Sequence, residues 1–141
     1  MKNTSKVLFL VGGIVMIFGF IAYLLFSIAG FVCGGLAIAL NEGQQLPQEI
    51  VDVFNKLVAE SKMTLLEISA SFITIGVTFA VLSLFAIASI VLSFVDKARP
   101  NPGLGLLIPS TIIHLCAGNI VSLAGGVVGI VYWSTKGRKE V

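Results

Sequence analysis

The chain has 141 residues, 57% of them hydrophobic and only 11% charged, with a formal net charge of +2. Soluble domains carry about a quarter charged residues, so this composition excludes an ordinary water-soluble domain. The length suits one domain. Uninterrupted apolar runs longer than about 18 residues identify an integral membrane protein. The runs are continuous and do not alternate with period two, which points to helices and away from a barrel.

The charges are sorted along the chain. Lys2 and Lys6 precede the first apolar run, Lys97 and Arg99 lie in a short polar connector, and Lys136, Arg138 and Lys139 follow the last run. The interval Asn41–Glu67 carries Glu42, Glu49, Asp52, Glu60 and Glu67 against Lys56 and Lys62, a net of −3. By the positive-inside rule both termini and the Asp96–Pro102 connector are cytoplasmic and the acidic interval is outside. The basic excess is therefore a topology signal, and nucleic acid is not an expected partner. Cys33 and Cys116 are far apart and form no Cys-x-x-Cys pair, so they read as small apolar filler.

The first helix is expected over residues 7–40. Ala37-Ile-Ala39 resembles a signal-peptide cleavage site, but the run is far longer than the apolar core of a signal peptide, and it reads as an uncleaved anchor. An outer insert follows over 41–64. Within it Pro47 suits a first helical turn, and Ile50, Phe54, Leu57 and Val58 recur at helical spacing opposite Asp52, Lys56 and Glu60. This predicts an amphipathic helix over 47–62, whose apolar face serves as a cap or as a partner-binding strip. Thr64-x-x-Glu67 has the capping-box pattern and opens a second membrane helix over 65–95, which the two prolines after Asp96 end.

The last apolar run, Gly103–Trp133, leaves two readings open. As one helix it would carry the basic tail outside. As two short helices, 103–117 and 119–133, hinged at Gly118-Asn119, it returns a tail over 134–141 to the cytoplasm, and the charge bias and the turn favour this. Each half would reach only about 21 Å, short for a bilayer. Tyr132 and Trp133 then sit at the inner interface.

The order of basic start, long helix, outer insert, long helix, Asp96-Lys-Ala-Arg-Pro connector, helical hairpin and Gly-Ile-Val-Tyr-Trp-x-x-Lys-Gly-Arg-Lys end resembles the domain-of-unknown-function family of small four-helix membrane proteins from Gram-positive bacteria. The resemblance implies four spans in a bacterial plasma membrane and carries over no catalytic residue. The expected fold is thus all-α, an integral membrane four-helix bundle with a short extracytoplasmic amphipathic helix between the first and second transmembrane helices.

Small residues form stripes at Gly30 and Gly34, Gly76 and Ala80, and Gly125 and Gly129. Helices in lipid pack by close backbone approach at such positions, either within one bundle or in a seam between copies. Ser110, Thr111 and His114 form an intramembrane polar side, with His114 expected one turn from the outer surface. No carboxylate falls in the middle of a predicted span. That argues against a small multidrug exporter, which needs a buried acid for proton coupling. No Ser-His-Asp set, phosphate loop or metal-ligand cluster is evident, so neither an enzyme nor a cofactor is expected. The expected function is a non-enzymatic accessory or regulatory membrane protein that binds another membrane or extracytoplasmic protein. The competing reading is an oligomeric channel or transporter subunit lined by Ser110, Thr111, His114 or Thr74 and Thr78.

Overall fold

The structure is a computed structural model that describes residues 2–99 and 103–140, the last four by their backbone alone. Pro100, Asn101 and Pro102 of the connector lie outside the described residues. The described chain is all-helical: α1 (Lys2–Asn41), α2 (Gln48–Ser61), α3 (Leu65–Ala98), α4 (Leu104–Ala117) and α5 (Ile120–Glu140). α1 and α3 are long and apolar enough to cross a membrane, whereas α4 is only 14 residues long.

The helix ends follow local chemistry. α1 stops at Gly43, whose φ of 82° suits a residue without a Cβ. Pro47 caps the start of α2 by its fixed φ, and Lys62 ends α2 in the left-handed region with its N–H on the Val58 carbonyl. Thr64 and Glu67 exchange the two bonds of a capping box, each 3.2 Å long, at the start of α3. Gly118, with φ 73°, closes α4. Asn119 Oδ1 then accepts the Ser122 N–H at 3.2 Å and opens α5. Gly103–Trp133 is therefore two helices.

Two boundaries depart from the sequence reading. α1 begins at Lys2 and not at residue 7, because Lys2–Lys6 has no helix breaker and Ser5 is fixed by its bond to Gly125. α5 runs to Glu140 and does not stop at Trp133. Its last turns are held by the Thr135 hydroxyl on the Val131 carbonyl and by the Lys136 ammonium 4.8 Å from the Trp133 ring. The expected tail over 134–141 is thus helical through Glu140, and Val141 lies outside the described residues.

Two compact units divide the chain. One comprises Met1–Ala22 and Val81–Val141, the other Tyr23–Ala80. The first holds the beginning of α1, the end of α3 and the α4–α5 hairpin. The second holds the rest of α1, α2 and the beginning of α3.

Candidate functional site

In the first unit the interior combines apolar side chains, among them Phe9, Met16 and Leu107, with many polar ones. Asp96, Ser89, Ser93, Ser110, His114, Asn119 and Ser122 are all buried, Asp96 at 2% and His114 at 0% exposure. By contrast Phe18 at 70% and Leu84 at 68% face outward. This departs from the distribution of a water-soluble bundle.

The buried polar groups form a chain of hydrogen bonds. Asn119 Nδ2 donates to the Gly12 carbonyl at 3.1 Å and to Ser89 Oγ at 2.9 Å. Ser89 Oγ lies 2.7 Å from His114 Nδ1, and its own proton is free to go there. His114 Nε2 lies 3.4 Å from Ser110 Oγ and 3.9 Å from the Asp96 carboxylate. Ser110 in turn donates to Asp96 Oδ2 in a short bond. Arg99 Nη1 binds Asp96 Oδ1 at 3.0 Å and, at 28% exposure, reaches the surface. Arg99 and Ser110 donate to the carboxylate, and no buried side-chain nitrogen or oxygen among the described residues lacks a partner. A second contact, Ser93 Oγ to Ser122 Oγ at 2.7 Å, ties α3 to α5.

The sequence reading sets Asp96 and His114 at opposite ends of the bundle and finds no Ser-His-Asp set. Packing brings all three types together, because Ser110 and His114 lie one turn apart on α4 and both face the end of α3. The arrangement is not that of a nucleophilic triad. Ser110 gives its proton to the acid and not to the imidazole, His114 Nδ1 bonds Ser89 and not a carboxylate, and all three side chains are buried. Nor do the described residues contain a group of three metal-ligating side chains. Thr111 is buried too, with its hydroxyl on the Leu107 carbonyl at 2.6 Å and its side chain against Gly126.

Ser89, Ser93, Asn119 and Gly12 are not among the sequence candidates. A signal for part of the set exists: the small-residue side Gly76, Ala80, Ser83 and Ala86 continues along α3 through Ser89, Ser93 and Asp96. Gly12 carries no such signal. It is required because a Cβ there would lie 2.6 Å from the Ser122 nitrogen.

The other small residues are used within the units. In the second, a Cβ on Gly30 would lie 2.6 Å from the Gly76 nitrogen, and one on Gly34 would lie 2.6 Å from Ile73 Cγ1. Ser27 donates to the Gly76 carbonyl at 2.8 Å and Ser69 to the Gly34 carbonyl at 3.1 Å, so α1 and α3 run antiparallel in close contact. Ala80 is half-buried. In the first unit Gly125 and Gly129 face Ser5, which donates to the Gly125 carbonyl at 2.7 Å.

α2 is docked by its apolar face. Phe54 is buried with Ala37 and Ile68, while Ile50, Leu57 and Val58 pack around them with Leu36, Leu40 and Phe72. The strip is thus turned onto its own unit. Its opposite face, with Glu49, Asp52, Lys56 and Glu60, is exposed. Thr74 and Thr78 on α3 are exposed as well, each hydroxyl returned at 2.7 Å to its own helix four residues back.

No family model, curated protein or solved structure matches this chain, so the family resemblance rests on the order of its hydropathy and charge alone.

Proposed function

We propose that the chain is a non-enzymatic accessory protein of the plasma membrane, anchored by α1 and α3 and carrying α2 as an external platform for another protein. The observation that carries this reading is the apolar exterior: many large apolar side chains face outward, while polar and ionisable groups share the interior with a few apolar ones such as Phe9 and Leu107. Such a surface suits lipid, where interhelical hydrogen bonds and close backbone contacts hold helices together. The excess of basic residues at both termini and beside Asp96 assigns those ends to the cytoplasm.

The hairpin refines the expected four spans to two spans and a re-entrant pair. α4 rises only about 21 Å, against a hydrocarbon core of about 30 Å. Its tip residue Asn119 bonds to Gly12, ten residues from the start of α1 and so only about 15 Å along it. A hairpin entering from the cytoplasmic side would therefore end near mid-membrane. Its tip is tolerated there because Asn119 is satisfied on both sides by protein groups.

The accessory reading is favoured over a channel subunit because Ser110, Thr111 and His114 are turned inward within one chain, and the exposed Thr74 and Thr78 hydroxyls donate to their own backbone. On α2 the apolar strip is consumed by docking, which leaves the acidic face for a partner of basic surface.

Cysteine labelling in a background without Cys33 and Cys116 tests the topology. A membrane-impermeant maleimide should reach Ser61→Cys only from outside, Ser134→Cys only from inside, and Ile120→Cys at the exposed hairpin tip from neither side. Outside labelling of Ile120→Cys would restore four spans, and inside labelling of Ser61→Cys would sink the orientation. For the accessory role, purification from mild detergent with mass spectrometry should recover a stoichiometric partner. The variant Glu49→Lys/Asp52→Lys should lose it, and recovery of the same partner by this variant would refute the acidic platform.

A further inference from the structure

At the basic end of the first unit a small cavity of about 20 Å³ opens between the start of α1, the end of α3 and the end of α5. Its wall carries three cations, Lys2, Lys6 and Arg99, and a single acid, Asp96. Arg99 holds one oxygen of Asp96 and Ser110 the other, so the single negative charge of Asp96 is balanced by Arg99 and the two lysines remain in excess. Lys2 and Lys6 are partly buried, and neither has an ion-pair partner among the described residues. The first turn of α1 contains no acidic residue, so its free N–H groups and the positive end of its dipole add to the same field. Partly desolvated ammonium groups without a counter-charge are unfavourable, and the wall as a whole is short of negative charge.

The interior of this cavity has room for little more than one water, and we infer that its open mouth is a binding site for a phosphate-bearing anionic headgroup, which rests against Lys2 and Lys6 as its main ligands. The inference rests on the membrane reading, which sets this end at the headgroup level. The remaining lining explains why the phosphate belongs to a lipid and not to a free anion. Tyr132 and Trp133, packed edge to face at 5.2 Å, border the cavity and are amphipathic groups suited to the interface. Val7 on α1 and Val131 on α5 are exposed within one to two turns of it, so the acyl chains of a seated lipid would lie along apolar surface. Basic notches between helices at the cytoplasmic face recognise anionic lipids through this pairing of charge and adjoining apolar flank. Arg99 acts differently from the lysines. It neutralises Asp96, so that the carboxylate does not repel the phosphate.

The test uses the full chain in a neutral detergent, with dioctanoyl phosphatidylglycerol, dioctanoyl phosphatidylcholine and inorganic phosphate as separate probes. Phosphatidylglycerol should bind and raise the thermal unfolding midpoint, and the other two should do neither. Lys2→Gln/Lys6→Gln should weaken that binding about thirty-fold, the loss expected for two lysines at an anionic surface. Lys97→Gln, an exposed control outside the cavity, should leave it intact. Equal binding of phosphatidylcholine, or undiminished binding by the double variant, would overturn the site. Protection by inorganic phosphate as strong as by phosphatidylglycerol would overturn its assignment to lipid. If the double variant does not fold, Lys2→Arg/Lys6→Arg must retain binding and added salt must weaken it in the unaltered protein; a salt-insensitive affinity would refute the proposal. Cysteine labelling uses none of these lysines, so the topology and the lipid site fail separately.

Discussion

The two units of this chain are held together by different chemistry. In Met1–Ala22 with Val81–Val141 a carboxylate, an imidazole, an amide and several hydroxyls, linked from Asn119 to Asp96, are buried beside Phe9 and Leu107. In Tyr23–Ala80 the buried cluster is Ala37, Phe54 and Ile68 with surrounding leucines, and Ser27 and Ser69 bond the backbone at Gly76 and Gly34. The difference bears on the proposed membrane reading. An amphipathic helix gains by burying apolar surface when its alternative is exposure to water, so on that reading the packing of α2 suits an aqueous face. Helices surrounded by lipid gain nothing from apolar burial and are held by hydrogen bonds and close contact.

Substitutions sharpen or break this contrast. The largest effect is expected from Phe54→Asp, which removes a buried ring and puts a charge in its place, at a cost of about 4 kcal/mol or more. Limited proteolysis should then cut the insert around α2. If the insert stays resistant and the melting midpoint is unchanged, α2 is not held by its apolar face.

Asp96→Ala follows, at about 3 kcal/mol, because Ser110 loses its acceptor and Arg99 its buried ion-pair partner. The loss is moderated because Arg99 is able to turn to solvent. Hydrogen exchange should rise along α4 and α5 and not along α2. Uniform exchange across the chain would show that the two units melt as one and that the contrast has no energetic meaning.

A pair of glycines separates close contact from hydrogen bonding. Gly30→Val should cost about 1–3 kcal/mol, since its side chain meets the Gly76 and Phe72 backbone. Gly35→Ala, which meets nothing within 4 Å, should stabilise α1 by about 0.5–1 kcal/mol. Thermal unfolding in detergent reads both, and equal shifts for the two would remove the close-contact argument.

Ser89→Ala should have a smaller effect, about 0.6–1.7 kcal/mol, the range found for hydrogen bonds between helices in lipid. Lys56→Glu is expected to leave the melting midpoint unchanged, because its partner Glu60 is equally exposed. A clear loss of stability in that variant would mean that the outer face of α2 is already engaged.

Much of the element order is legible in the residues. Pro47, the Thr64–Glu67 capping box and the Gly118–Asn119 turn act within a few bonds of themselves, so their effect does not depend on the rest of the fold. The helical tail is not legible from hydropathy, because the apolar run ends at Trp133 although polar residues extend a helix as readily as apolar ones. The candidate site is legible only in part. Ser110, Thr111 and His114 stand out as polar residues in an apolar run, but nothing local to them indicates Asp96, Ser89 or Gly12.

What the sequence by itself determined is the all-helical character, the two long apolar helices and the amphipathic register of α2. Period and hydropathy are properties of a segment, and each segment exposes them alone. What the tertiary structure decided is the direction in which polar side chains turn. Asp96 and His114 are 18 positions apart on different helices, and their meeting depends on how far α4 slides along α3. That register is held by Ser89 on α3, which meets both His114 and Asn119, and the hairpin is fixed to α1 by Asn119 on the Gly12 carbonyl, 107 positions away. A buried charge tolerates few arrangements in which all its partners are present, and only the folded chain selects one of them.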